Sequence, residues 1–270
     1  MTRPAARYIH VHRHGSGPAL VFLHGWTMAG DIFADAFRRL GDRFSCIAPD
    51  LPGHGRTEGY APDVHGATEM LADLLQAEDL RNVTLIGWSL GALVGWSHLR
   101  HGGGARIGAM VSLDMSPRPL NGGDWSLGLH GQTAQQARAK GQWFRDDWAS
   151  AANVIARSMF AGPQGAPGLD IAQASARISA QDPQLMAGLW DSLVACDCRD
   201  TIRRLPVPLL AIHGAASRAY PQETAHWLAN SAPRGAFSIM PQAGHSPLLE
   251  QPDATCAEIA QFALNPESRC

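Results

Sequence analysis

An α/β fold with a mostly parallel central sheet flanked by helices is the class this sequence predicts. Three observations carry the prediction. Apolar runs of strand length recur along the 270 residues, helical patterns separate them, and the runs stop at Gly, Pro, His or Asp. Continuous apolar runs suit strands covered on both faces, and their alternation with helices marks a parallel sheet.

The strand candidates, in order, are residues 19–23 before His24-Gly25, 44–48 before Pro49-Asp50, 83–86 before Gly87, 109–113 before Asp114, 208–212 before His213-Gly214, and 236–240 before Pro241. Helices are expected over residues 63–75, 91–100, 224–230 and 253–264. In open sheets of this kind, ligands bind beyond the carboxyl ends of the strands. That is where the Gly, His, Ser and Asp residues accumulate.

The alternation breaks once. Between residues 116 and 199 there is no good strand; Trp125, Trp143, Trp148 and Trp190 lie among helical patterns over 134–160 and 171–193. Pro163 and Pro167 mark a loop between these patterns. Residues 1–115 and 200–270 therefore read as the core, and 116–199 as a helical insertion over the sheet's carboxyl edge.

Bulk composition narrows the function. At 45% hydrophobic residues the chain can bury a substantial core. The 22 Lys plus Arg nearly balance the 24 Asp plus Glu and form no basic patch, so nucleic acid is not an expected partner. No apolar run approaches the roughly 20 residues that span a bilayer. Residues 1–14 carry Arg3, Arg7 and Arg13 without the apolar segment of a signal peptide. No membrane association is expected, and a cytoplasmic location is. Cys46, Cys196, Cys198, Cys256 and Cys270 are odd in number and scattered, which suits free thiols in a reducing compartment. No His, Cys and Asp grouping has metal-ligand spacing and no G-x-G-x-x-G closes a strand, so neither a metal nor any other cofactor is implied.

Gly87-Trp88-Ser89-Leu90-Gly91 follows a strand and opens a helix, the context that a G-x-S-x-G nucleophile requires. A serine at the tip of such a turn is strained, and its hydroxyl is pushed into the site. Side chains at the flanking glycines would collide with the neighbouring strand and helix, and the helix amino terminus favours a developing anion. Ala92 and Gly95 keep that helix close to the sheet. Two backbone N–H groups are the candidate oxyanion donors: Trp26, after the first clear strand, and Leu90, just after Ser89. The His24 imidazole is assigned to bracing its loop.

Twelve histidines compete for the base. His10, His12, His14, His65, His98, His101, His130 and His226 sit in surface-like or helical contexts and read as solvated; His54 reads as structural within its tight loop. His213 ends a strand in the wrong pattern for a base. His245, in Ala243-Gly244-His245-Ser246-Pro247, lies between the last strand and the last helix and follows the serine in the chain, as the Ser…Asp…His order demands.

Taken together, His24-Gly25-Trp26, Asp50-Leu51-Pro52-Gly53-His54-Gly55, Gly87-Trp88-Ser89-Leu90-Gly91 and Gly244-His245 resemble the α/β-hydrolase superfamily in order and spacing. The resemblance covers residues 19–262, with the insertion matching the family's helical cap. The first and third motifs are similar to those of pimeloyl-acyl-carrier-protein methyl ester esterases and of general carboxylesterases. The family usually supplies the triad's acid just after the strand ending at His213-Gly214, but Ser217 stands there, and a serine cannot carry the charge that stabilises an imidazolium. The resemblance offers Asp114, one strand earlier, as the replacement, an arrangement similar to that of some family members; its other reading is that it caps or anchors the insertion's first turn. The acid reading makes Asp114→Asn severe and Ser217→Ala mild. Asp31 and Asp50 are assigned to holding loops, with Asp197 and Asp200 as fallback acids.

The function implied is cleavage of a carboxylic ester or thioester through an acyl-enzyme. A small ester is the first substrate class; a carrier-protein or coenzyme A thioester is the second. The insertion's tryptophans, with Met159 and Leu185, either line an apolar pocket or pack the insertion's own core. Two other readings stand beside this one: a cofactor-free haloperoxidase or perhydrolase, and a ligand receptor without turnover.

Overall fold

The computed structural model describes residues 6–269; Arg3, in the amino-terminal reading, and Cys270, in the thiol count, lie outside the described residues. The four described cysteines are free thiols. Seven strands form one sheet in the order β1-β3-β2-β4-β5-β6-β7. They are β1 (Val11–His14), β2 (Ala19–Leu23), β3 (Ser45–Pro49), β4 (Val83–Trp88), β5 (Ile107–Leu113), β6 (Leu209–Gly214) and β7 (Gly235–Met240). The six expected strands are all present and mutually parallel. The edge strand β1 pairs antiparallel with β3 and was not expected: His12, Arg13 and His14 give it no apolar run to read.

Strands β4 and β6 are buried at all six residues and β2 and β5 at all but one, so their continuous apolar character follows from having cover on both faces. The cover comes from α1 (Ala34–Leu40), α2 (Val64–Ala77), α3 (Leu90–Arg100), α8 (Arg199–Arg203), α9 (Glu223–Ser231), α10 (Pro247–Glu250) and α11 (Pro252–Leu264). Asp63 starts α2 by accepting a hydrogen bond from Gly66 N at 2.7 Å. Helix α3 lies tight against the sheet: a Cβ on Gly95 would come within 2.6 Å of Met110 Cε.

Between β5 and β6 the chain forms α4 (Ala134–Asp146), α5 (Trp148–Ser158), α6 (Ile171–Ser179) and α7 (Pro183–Val194). The two long helical patterns of the sequence are thus four helices. Asp147 breaks the first, leaving helical φ/ψ to accept from Ser150 N at 3.1 Å. Asp182-Pro183 breaks the second, with Asp182 accepting from Gln184 N and Leu185 N and Pro183 opening α7. Trp26, on the loop after β2, packs between Phe144, Trp148 and Trp190 at ring-centroid distances of 5.1, 6.0 and 5.6 Å, tying that loop to these helices. No helix among the described residues is long and apolar enough to cross a membrane.

Three histidines read as solvated are not. His98 is 7% exposed, because α3 turns that face onto the residues around Gly103. His10 and His12 meet the buried Asp50, Nδ1 to Oδ2 at 3.0 Å and Nε2 to Oδ1 at 3.3 Å, across the β1–β3 pair. Three potential metal ligands therefore do converge, from separated segments that have no ligand spacing in the chain. Two of the three have further partners: Asp50 accepts from Gly30 N and Arg56 N, both at 2.9 Å, and His10 Nε2 meets the Arg56 guanidinium. The cluster braces the loop after β3, the loop-holding role expected of Asp50.

Candidate active site

Ser89 sits between β4 and α3 at φ +52°, a region a non-glycine residue occupies only when its surroundings enforce it. The enforcing contacts are local. Ser89 N donates to Leu113 O at 3.1 Å, and Ser89 O accepts from Ala92 N at 2.9 Å. A Cβ on Gly87 would lie 2.5 Å from Ala92 Cα, and one on Gly91 would lie 2.1 Å from Leu23 O, so both flanks must be glycine. Gly25 passes so close that its own Cβ would fall 3.4 Å from Ser89 Cβ.

This passage brings the loop after β2 beside the serine. Among the described residues, neither the Trp26 N–H nor the Leu90 N–H donates to a protein acceptor; Leu90 is the first residue of α3, where amides have no intrahelical partner. The loop is held by two buried imidazoles. His24 Nε2 accepts from Leu51 N at 2.9 Å, and His54 Nε2 accepts from Thr27 N at 3.1 Å. Burial pushes their pKa values down, to about 4 for His24 and about 3 for His54, which suits neutral acceptors.

In the loop after β7, His245 Nδ1 lies 2.6 Å from Asp114 Oδ2. Asp114 follows β5 at φ +45° with its carboxylate fully enclosed. Gly214 N donates to its Oδ1 at 3.2 Å and Ser217 Oγ donates to its Oδ2 at 2.7 Å, while His213 Nδ1 stands 2.8 Å from Oδ1. Burial pushes this carboxyl's pKa up, but the imidazoles of His213 and His245 outweigh it and hold the group well below the carboxylate range. Ser217, where an acid was expected, thus hydrogen-bonds Asp114.

The His245 loop is fixed from behind. Trp88 Nε1 donates to His245 O at 2.7 Å. Glu250 accepts from Gly244 N at 2.7 Å, Ser246 N at 3.3 Å and Ala161 N at 2.6 Å, and burial raises its pKa despite these bonds. Sequence reasoning missed both His213 and Glu250. Glu250 had one available signal: it stands five residues after His245, at the end of the short helix that Pro247 opens.

Ser89 and His245 line one cavity of about 160 Å³, together with Trp26, Met159 and Trp190. The Ser89 hydroxyl makes no hydrogen bond to His245 in this conformation, as is common in hydrolase sites without substrate. Of the side chains expected either to line an apolar pocket or to pack the insertion's core, Trp190 and Met159 line this cavity, Leu185 is 40% exposed, and Trp125 packs edge-on against Trp227 at 5.0 Å. The fallback acids are engaged elsewhere, Asp197 with Arg199 and Asp200 with Arg203, each at 2.8 Å. Asp31 pairs with Arg177 of α6 at 2.6 Å.

The structure thus brings a strained serine at a strand–helix turn and a carboxylate-paired histidine to one cavity. The model of the alpha/beta hydrolase family matches residues 20–258, and the chain belongs to that family. Pimeloyl-[acyl-carrier protein] methyl ester esterase of Vibrio vulnificus (strain YJ016) is 28% identical over 262 residues, 94% of this chain and 98% of the relative. The protein of the same name from Nitrosomonas europaea is 28% identical over 249 residues, 91% and 95% of the two chains. Among solved structures, an esterase from Exiguobacterium antarcticum matches with a TM-score of 0.88 at 20% identity, over 96% of each chain. A bromoperoxidase from Bacillus anthracis matches at 0.86 and 18%, again over 96% of each. At these identities the structural likenesses speak for the fold.

Proposed function

We propose that the chain hydrolyses carboxylic esters, with Ser89 as nucleophile, His245 as general base, Asp114 as the triad acid and the Trp26 and Leu90 N–H groups receiving the oxyanion. The observation that carries this reading is the 2.6 Å contact between His245 Nδ1 and a fully buried carboxylate, at a cavity that Ser89 also lines. With Nδ1–H donated to Asp114, Nε2 is left as the proton acceptor.

His245 takes the Ser89 proton as Oγ bonds to the carbonyl carbon, and the electron pair moves onto the carbonyl oxygen. The tetrahedral intermediate collapses, the bond to the leaving alcohol breaks, and His245 returns the proton to that alcohol. Water then repeats the sequence on the acyl-enzyme, releasing the acid and regenerating Ser89. In this reading residues 116–199 act as a cap on the core of 1–115 and 200–270.

A small carboxylic ester is the first substrate class. An acyl chain presented on an acyl-carrier protein is the second, supported by the names of the relatives at 28% identity. A fluorophosphonate probe is expected to label the wild-type chain once and the folded Ser89→Ala variant not at all. A burst of p-nitrophenol from p-nitrophenyl esters would report the acyl-enzyme. A folded wild type that takes no label and turns over no ester would overturn the proposal and leave the receptor reading.

A further inference from the structure

Lys140 is the only lysine in the chain; every other Lys-or-Arg position is arginine. It lies on α4, one turn before Phe144, and both side chains line the Ser89 cavity. Its ammonium stands 5.9 Å from the centroid of the Trp190 ring. Among the described residues no aspartate or glutamate lines the cavity, and Lys140 has no ion-pair partner. Arg218 lines the same cavity, with its guanidinium donating to the Ala161 carbonyl at 3.1 Å rather than to an acid. The lining therefore carries two cationic side chains and no carboxylate; the acid behind it, Asp114, is enclosed and faces His213 and His245.

A second polar group there is unsatisfied. Gln132 is 8% exposed, lines this cavity, and has its Oε1 buried without a partner. Its backbone is fixed, N–H to Leu129 O at 3.0 Å and C=O from Asn121 N at 2.8 Å, which leaves the side-chain amide as the free group. A half-turn about its last bond exchanges oxygen for an N–H donor. A buried amide without a partner and a desolvated ammonium both cost stability unless a ligand completes them. Burial lowers the Lys140 pKa, in keeping with a charge short of solvation.

We propose that Lys140 and Gln132 form an anion subsite in the Ser89 cavity, and that the preferred substrates are small esters carrying a second, ionised carboxylate. One oxygen of that carboxylate would accept from the Lys140 ammonium and the other from the Gln132 amide. The inference rests on the esterase reading of Ser89 for its turnover readout only. The competing role for Lys140 is packing, its methylene stem on Trp190 with the ammonium merely reaching water.

The test compares monoethyl succinate, glutarate and adipate, each against the ethyl ester of its neutral monoamide. In the wild type, the ratio of kcat/KM for the acid over the amide is expected to exceed about tenfold for at least one chain length, the scale of a charge-assisted hydrogen bond out of bulk water. Lys140→Met should collapse that ratio to about one or below, Lys140→Arg should keep most of it, and Gln132→Leu should reduce it. Calorimetric binding of the same pairs to the non-hydrolysing Ser89→Ala protein, with and without Lys140→Met, gives a readout that needs no turnover. Ester turnover with equal ratios in wild type and Lys140→Met overturns the subsite and leaves the esterase reading intact. Absence of turnover with a Lys140-dependent binding preference overturns the esterase reading and supports the subsite.

Discussion

Two walls hold Ser89 and His245, which both line the cavity, and they are built in opposite ways. The wall around Ser89 is local: Gly87, Ser89 and Gly91 lie within five consecutive residues, and each glycine is dictated by a backbone atom less than 3 Å from where its Cβ would be. The wall around Asp114, the acid wall of the proposed function, is assembled from three separated segments, with Asp114 from just after β5, His213, Gly214 and Ser217 from β6 and its following turn, and His245 from the loop after β7. A local device works because of what is excluded from it. An assembled device works because several partners share one carboxylate, and it tolerates the loss of a peripheral partner far better than the loss of its centre.

The sharpest way to break this comparison is at that centre. Asp114→Asn keeps the shape but removes the charge that both imidazoles face and leaves an amide in place of the acceptor for His245 Nδ1. Its kcat/KM for p-nitrophenyl esters should fall about a thousand- to ten-thousandfold, the scale for neutralising a triad acid. Circular dichroism and thermal unfolding would check that the fold persists. A loss of less than about tenfold would remove Asp114 from the triad and return the acid's role to another group.

The local wall should fail differently, through folding. In Gly91→Ala the new methyl would meet Leu23 O at 2.1 Å and Leu23 C at 2.6 Å, both backbone atoms of the neighbouring strand that cannot swing away. Overpacking of this kind costs about 1–3 kcal/mol, which is several degrees of Tm for a chain of this size. Differential scanning calorimetry reads the effect, and an unchanged Tm would mean that β2 and α3 can part more easily than their packing implies.

The same contrast explains what the sequence disclosed. Ser89 was legible because a strand, a G-x-S-x-G turn and a helix follow each other in the chain. His245 was legible from its position after the last parallel strand. Asp114 was reached through the family resemblance, in which some members carry the acid one strand earlier, once Ser217 stood at the usual position. Glu250, His213 and the His10–His12–Asp50 brace were not legible, because each owes its role to a contact between segments that no spacing rule connects. Strand β1 escaped for another reason: an exposed antiparallel edge needs neither an apolar run nor clean alternation.

Ser217 is where the structure changes the expectation most, and where the predicted effect is smallest. Read as a missing acid, it made Ser217→Ala nearly silent. In the structure its Oγ donates to Asp114 Oδ2 at 2.7 Å and accepts from Ala219 N at 3.2 Å and Tyr220 N at 3.3 Å. It thereby links the carboxylate to the turn that carries Tyr220, whose ring lies 5.9 Å from that of His245. Alanine removes one donor among several and leaves the charge in place, so the cost should be about 0.5–1.5 kcal/mol, or roughly two- to twelvefold in kcat/KM. Because the link acts on how His245 is held, the loss should appear in kcat, with KM for a neutral ester nearly constant. A Ser217→Ala enzyme as impaired as Asp114→Asn would mean that the hydroxyl, and not the imidazole pair, holds the carboxylate in register, and the shared-partner account of the acid wall would have to be abandoned.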